Sequence, residues 1–400
     1  MPEAVIVSTA RSPIGRANKG SLVDCRPDDL TATIVKAALA KVPQLDPNSV
    51  DDLIAGCGQP GGESGYNIAR VAAILAGMPD VPGVTVNRYC SSSLQAIRMA
   101  AHAIKAGEGD AFVAAGIETV SRYQYGASDT GPRNPQFDAA GQRTKDREGG
   151  ATSWEPPTGL PDIYIAMGQT AENVRLQENV SRREMDEFAA LSQQRAVRSQ
   201  QNGFFEREIT PITTPDGTVV TKDDGPRDGT TADKLAELKP VFRPDGEVTA
   251  GNACPLNDGA AAVIVMSDTR ARELGIKPLA RIVSSGVSGL NPEIMGLGPI
   301  EACRQAMKRA GMTIDEIDLV EINEAFAAQV LPSAKHLGIS IEKLNVNGGG
   351  IALGHPFGMT GARIMTTLLN GLEDSGKAFG MESMCVGGGQ GMAMIVERLN

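Results

Sequence analysis

The chain has 400 residues, of which 41% are apolar and 46 are glycine, and a formal net charge of −10. That length supports two or three domain-sized units with a large buried core. The acidic balance excludes nucleic acid as the main partner, because a phosphate backbone needs a basic face; a phosphate-bearing small molecule is still admitted where a few basic residues gather.

The N-terminus reads as a strand, Ala4-Val5-Ile6-Val7, without the charged-then-apolar pattern of a signal peptide. No apolar run approaches the roughly 18 residues of a membrane span. The terminal Glu397-Arg398-Leu399-Asn400 is neither a peroxisomal nor a lipidation signal. A cytoplasmic protein with no membrane partner is expected. Cysteines stand at 25, 57, 90, 254, 303 and 385, and none forms a C-x-x-C pair, so no metal site is expected.

A helical pattern over 30–41 leads to a short strand at 52–56. After a helix at 68–75 comes the strand Val84-Thr85-Val86-Asn87, a polar turn with Cys90, and a helix from Ser92. Asp110 to Gly116 forms the next strand. The same order recurs later. A helix over 299–310 leads to a strand at 318–322, a helix from Ala325, a strand Leu344-Asn345-Val346-Asn347, a Gly-rich turn, a helix at 360–372 and two closing strands. The repetition predicts an internally duplicated α/β protein with βαβ units. Between the copies Gly, Pro, Asp and Arg rise and long strands disappear. Two helices, 169–176 and 181–202, make this stretch an inserted domain; Ser181 and Glu184 form a capping box. The expected divisions are a first half at 1–120, an inserted loop domain at 121–247 whose last part returns to the first half, and a second half at 248–400.

Chemistry concentrates in four turns. Cys90 follows a strand and precedes a helix, where free N–H groups and the helix dipole favour a thiolate. His355, one of only three histidines, sits among glycines in Gly354-His355-Pro356. In the duplicated plan its turn corresponds to that of Cys90, so thiol and imidazole would face one site. Cys385 precedes Val386-Gly387-Gly388-Gly389. Too little chain follows for a dinucleotide fold, and the better reading is a strand end whose N–H groups meet an oxyanion. Asn323, in Asn323-Glu324-Ala325-Phe326, reads either as an N-cap or as a holder of water against a reacting carbonyl.

Together these blocks, with Val86-Asn87-Arg88-Tyr89-Cys90-Ser91-Ser92, resemble the signature blocks of the thiolases, in order over essentially the whole chain. Thr9-Ala10-Arg11-Ser12-Pro13 and Val248-Thr249-Ala250-Gly251-Asn252 are similar too. The resemblance implies the five-layered α-β-α-β-α thiolase fold of two similar halves with an inserted loop domain, in a homodimer or homotetramer. It implies acyl-CoA and coenzyme A as substrates, with no permanently bound cofactor. It implies Cys90 as acylated nucleophile, Cys385 as acid/base, His355 and a water on Asn323 as one oxyanion hole, and the amides of Cys90 and Gly387 as the other. For coenzyme A it points to Met167, Arg227, Phe242, Ala250, Cys254 and Phe326. Tyr89, Ser93, Ala166 and Cys254 depart from the usual Gln, Gly, His and Ser. They favour a degradative 3-ketoacyl-CoA thiolase of fatty-acid β-oxidation over a biosynthetic acetoacetyl-CoA enzyme. Tyr89 and Ser93 also motivate a non-catalytic thiolase-fold acyl-CoA or lipid binder, against which stands the retention of Cys90, Asn323, His355 and Cys385 together. The second cysteine argues against a decarboxylating ketoacyl synthase.

Overall fold

The structure, a computed structural model, describes residues 2–147 and 153–399. The first half contributes β1 (Ala4–Arg11), α1 (Pro27–Ala40), β2 (Asp52–Cys57), α2 (Ile68–Leu75), β3 (Gly83–Val86), α3 (Ser92–Ala106) and β4 (Ala111–Thr119). The insertion carries α4 (Asp138–Arg147), α5 (Met167–Glu178) and α6 (Arg182–Gln201). Then follow β5 (Asn257–Ser267), β6 (Ala280–Gly289), α7 (Gly298–Ala310), β7 (Leu319–Ile322), α8 (Ala327–Leu337), α9 (Thr360–Ser375), β8 (Phe379–Val386) and β9 (Gln390–Arg398).

The strands run in the order β7-β8-β9-β6-β1-β5-β4-β2-β3. Only Val5–Arg281 and Ile6–Ala280 pair across the β1–β6 junction, so two sheets meet there. Their internal plans match. Strand β2 is parallel to β3 and β4, and β5 is antiparallel to β4 and β1. Likewise β7 is parallel to β8, and β9 is antiparallel to β8 and β6. One aspartate anchors each copy. Asp51 Oδ2 accepts from the N–H groups of Asp110 and Ala111, and Asp318 Oδ2 from those of Ala378 and Phe379.

Period-two burial builds the layers. In β5, Ala261, Val263 and Val265 enter one apolar cluster, while Ala260, Ala262, Ile264 and Met266 enter another. The first cluster holds α3 and α9 between the sheets; the second holds α1 and α2 outside the first sheet. A third holds α7 and α8 outside the second sheet. Three helical layers separated by two sheets give the five layers expected.

Two expectations are corrected. Starting the second half at 248 assigned 257–267 to it, yet β5 hydrogen-bonds to β1 and β4, so the first sheet closes with that strand. An alternating apolar run cannot announce which sheet it joins. The strand at 344–347 shrinks to a single bridge, Leu344 beside Val320. There Asn345 turns to φ +45, and its side chain takes over the ladder. Its Oδ1 accepts from Ile322 N at 2.8 Å and its Nδ2 donates to Ile322 O at 2.9 Å, so the carboxamide stands in for a peptide group. Residues late in the insertion reach β1: buried Arg11 lies 2.7 Å from Glu208 and 2.8 Å from Asp223.

Candidate active site

The Cys90 turn is built by its neighbours. Asn87 Oδ1 accepts from Tyr89 N at 2.7 Å, and Ser92 Oγ accepts from Arg88 N while donating to Tyr89 O. Tyr89 has φ +41, a left-handed conformation for a bulky residue, held by those bonds. Cys90 therefore sits one short turn before α3, as the sequence reading required. Its thiol is almost fully enclosed, and burial pushes its pKa up to about 11, although the backbone N–H groups of Gly387 and of Cys90 itself favour the thiolate. Desolvation outweighs the helix terminus, so the resting group is a neutral thiol rather than the expected thiolate, and it needs a base.

His355 is the candidate base. Thr360 Oγ1 donates to Pro356 O at 2.8 Å, so its hydroxyl proton is committed. The 2.6 Å contact between His355 Nδ1 and Thr360 Oγ1 must then carry the imidazole proton. That assigns the Nδ1–H tautomer and leaves Nε2 with its lone pair, buried and without a protein partner. Burial, and secondarily the Arg363 charge, lower the His355 pKa to about 3, so the ring is neutral at physiological pH. Sequence reasoning placed Thr360 at a helix start and gave it no role in the site.

The two arms touch. A Cβ on Gly361 would fall 2.4 Å from Leu94 N, so glycine is what lets α9 meet α3. Ser93 Oγ accepts from Ala362 N at 2.9 Å, satisfying one of the free donors in the first turn of α9. Glu118 ties the neighbouring loops, accepting from Gly58, Gln59 and Gly358 N–H groups and from Tyr123.

Asn323 is 1% exposed, and neither Oδ1 nor Nδ2 has a protein partner. Its own N–H bonds to Ser383 O, and it precedes α8 by too much to cap it, so the N-cap reading fails. A buried carboxamide left unmatched is the mark of a group kept for something else. Cys385 lies near the end of β8, fully buried, its pKa well above the ordinary thiol range through burial and the nearby Cys90 and Cys254.

A cavity of about 590 Å³ opens beside Cys90, lined by Tyr89, Met167, Phe357, Gly387 and Gln390 among others. The His355 ring packs edge-on against Phe357, at 5.2 Å between centroids. Cys90 and Gly387 thus line this cavity together with Phe357, two residues past His355. His355, Asn323 and Cys385 are buried outside its lining, and Cys385 is near enough to Cys90 to feel its charge.

Comparison with known proteins gives the family. The family description "Thiolase, N-terminal domain" matches residues 4–269, and "Thiolase, C-terminal domain" matches residues 276–398. The chain belongs to the thiolase family. The two matches leave β5 with the first thiolase domain, as the sheet does. The chain is 43% identical to a beta-ketoadipyl-CoA thiolase of Acinetobacter baylyi over 409 residues, 100% of each chain. It is also 43% identical to a 3-ketoacyl-CoA thiolase of Bacillus subtilis, covering 99% of this chain and 100% of that one. The dimeric peroxisomal thiolase of Saccharomyces cerevisiae superposes with TM-score 0.89 at 35% identity, covering 100% of this chain and 98% of that chain.

Of the positions that the thiolase resemblance assigns to coenzyme A, Met167, Phe242, Cys254 and Phe326 share one apolar cluster. The rings of Phe242 and Phe326 meet edge-on at 6.1 Å, and Cys254 N donates to Ala325 O. Ala250 and Arg227 lie outside that cluster, both exposed. Arg227 N is held by Gln193 at 2.8 Å, with the charge of Arg16 close enough to lower the Arg227 pKa alongside burial. Two departures from the usual thiolase pattern acquire reasons. Ser93 supplies the hydroxyl that caps α9, and Tyr89 places its ring in the cavity wall beside Gly387.

Proposed function

We propose that this thiolase cleaves 3-ketoacyl-CoA with coenzyme A, releasing acetyl-CoA and an acyl-CoA one acetyl unit shorter. His355 Nε2 takes the Cys90 proton, and the thiolate attacks the keto carbon. The oxyanion rests on the Cys90 and Gly387 amides. As the tetrahedral centre collapses, the bond between the α and β carbons breaks and its electron pair becomes the enolate of acetyl-CoA. Protonated His355 and a water on Asn323 hold that enolate, and the Cys385 thiol protonates its carbon. Coenzyme A then gives its proton to the Cys385 thiolate and takes the acyl group from Cys90. Enolate carbon is strongly basic, and a thiol whose pKa is pushed well up is matched to it.

The observation that carries this reading is the bare, buried Nε2 of His355 together with the unmatched Asn323 amide. A mere acyl-CoA binder gains nothing from two such costs. The cavity of about 590 Å³ is more than an acetyl group fills, which favours thiolysis of longer chains over condensation of two acetyl units. We take the enzyme to be a cytoplasmic homodimer or homotetramer. The free edge of β3 offers a face for pairing, and no helix among the described residues is long and apolar enough to cross a membrane. Thiolysis rates over 3-ketoacyl-CoAs of rising length, for wild type and Cys90→Ala, test the reading. It expects activity that outlasts acetoacetyl-CoA and vanishes in the variant; a variant with full activity would refute it.

A further inference from the structure

A second concavity, of about 320 Å³, lies away from Cys90 between α3, β6, β9 and the last turn of α7. Its walls bring together Arg98, His102 and Lys105 from one face of α3, Ser284 and Ser285 from β6, and Arg309 from α7. Among the described residues, no acidic one lines it. Among the described residues, none of Arg98, Lys105 and Arg309 has an ion pair, whereas Arg26, Arg183, Arg207 and Arg272 all lie against carboxylates. In a chain of net charge −10, an uncompensated basic pocket runs against the general field.

The cations are positioned rather than loose. Arg98 Nε donates to Ser285 Oγ at 3.2 Å, and Arg309 Nη1 donates to Ser285 O at 2.5 Å. One residue therefore holds two guanidinium groups at the pocket wall. Burial, then the charges of Arg88 and Arg309, lower the Arg98 pKa, and burial, then Arg98, Lys105 and Arg309, lower that of His102. Gathering like charges without a counter-charge costs stability, and a bound anion reverses that cost.

We propose that this pocket is a binding site for a phosphate-bearing small anion, separate from the coenzyme A site. Its volume fits one or two phosphoryl groups, and Arg98 and Arg309 form the two sides of a clamp, with His102, Lys105 and the Ser285 hydroxyl completing it. The inference does not depend on the reaction proposed above.

Calorimetric titration with inorganic diphosphate tests it, using wild-type protein with saturating coenzyme A present so that the substrate site is closed to the probe. One diphosphate should bind per chain. Arg98→Gln and Arg309→Gln should each weaken it roughly ten- to hundredfold, the loss typical of a charge-assisted bond. A parallel titration with ADP separates the sources. Tighter binding than diphosphate names a nucleotide, and equal binding names the phosphate alone. Circular dichroism and thiolysis of the same variants report folding, and loss of thiolysis in wild type would count against the proposed reaction without touching this result. No binding in the presence of coenzyme A, or undiminished binding in the double variant, would overturn the proposal.

Discussion

The tautomer of His355 rests on one hydroxyl, so Thr360→Val is an incisive perturbation. Valine keeps the shape of a residue that is 0% exposed and removes the acceptor 2.6 Å from Nδ1. The Nδ1–H would then be buried without a partner, which costs about 1–3 kcal/mol. The ring escapes by moving its proton to Nε2 or by turning, and either way the bare Nε2 is lost. A penalty of about 1–3 kcal/mol lowers the fraction of the competent form roughly five- to 150-fold. Thiolysis kcat and kcat/KM should both fall by that factor, with KM little changed, because substrate binding is not touched. Thr360→Ser retains the acceptor and should recover most of the activity. Wild-type kcat in Thr360→Val would refute the assignment of Nε2 as the base.

Three further outcomes are expected. With the Cys90 pKa held up to about 11 by burial, iodoacetamide labelling of resting enzyme should climb about tenfold per pH unit through neutrality, and a plateau near pH 7 would contradict this. Glu118→Gln places an amide N–H group among the Gly58, Gln59 and Gly358 donors, and should cost about 2–4 kcal/mol in urea unfolding together with most of the activity; an unfolding midpoint equal to wild type would show that Glu118 does not tie those loops. Glu321 and Glu382 are paired neighbours on β7 and β8, both buried, and Arg363 on α9 is the buried cation that acts on both. Burial, with like-charge repulsion, raises the Glu382 pKa, so its neutral form is at no disadvantage below the unfolded pKa of about 4.3 and stability falls by about 1.4 kcal/mol per unit as pH rises above it. Glu382→Gln should flatten that decline in urea titrations from pH 5 to 8; an unaltered slope would place the proton elsewhere.

The duplicated plan was legible because the same order of helix, strand, helix, strand and turn recurs, and the structure adds what that order did not reveal, Asp51 and Asp318 making the same pair of bonds. The four chemical turns were legible because each joins a scarce reactive residue to glycine or a helix start. What stayed hidden depends on burial and on distant partners. Helix-terminal position argued for a Cys90 thiolate, but the desolvation that outweighs it comes from the whole enclosing fold. Asn345 looked like a strand residue, and only its side-chain bonds to Ile322 reveal a substitute for one. Ser93 looked like an intrusion into a tight turn until Ala362 arrived from the other half. Arg98 and Arg309 drew no reading from the sequence, and nothing local says that Ser285 holds both.

The central claim is that Cys90 carries the acyl group. Intact-mass and peptide mass spectrometry after brief exposure to acetyl-CoA tests it most directly. The account predicts one acetyl group on the peptide containing Cys90, discharged when free coenzyme A is added and strongly reduced in His355→Ala. An acetyl group on Cys254 or Cys385 instead, or none at all on active wild-type enzyme, would contradict it.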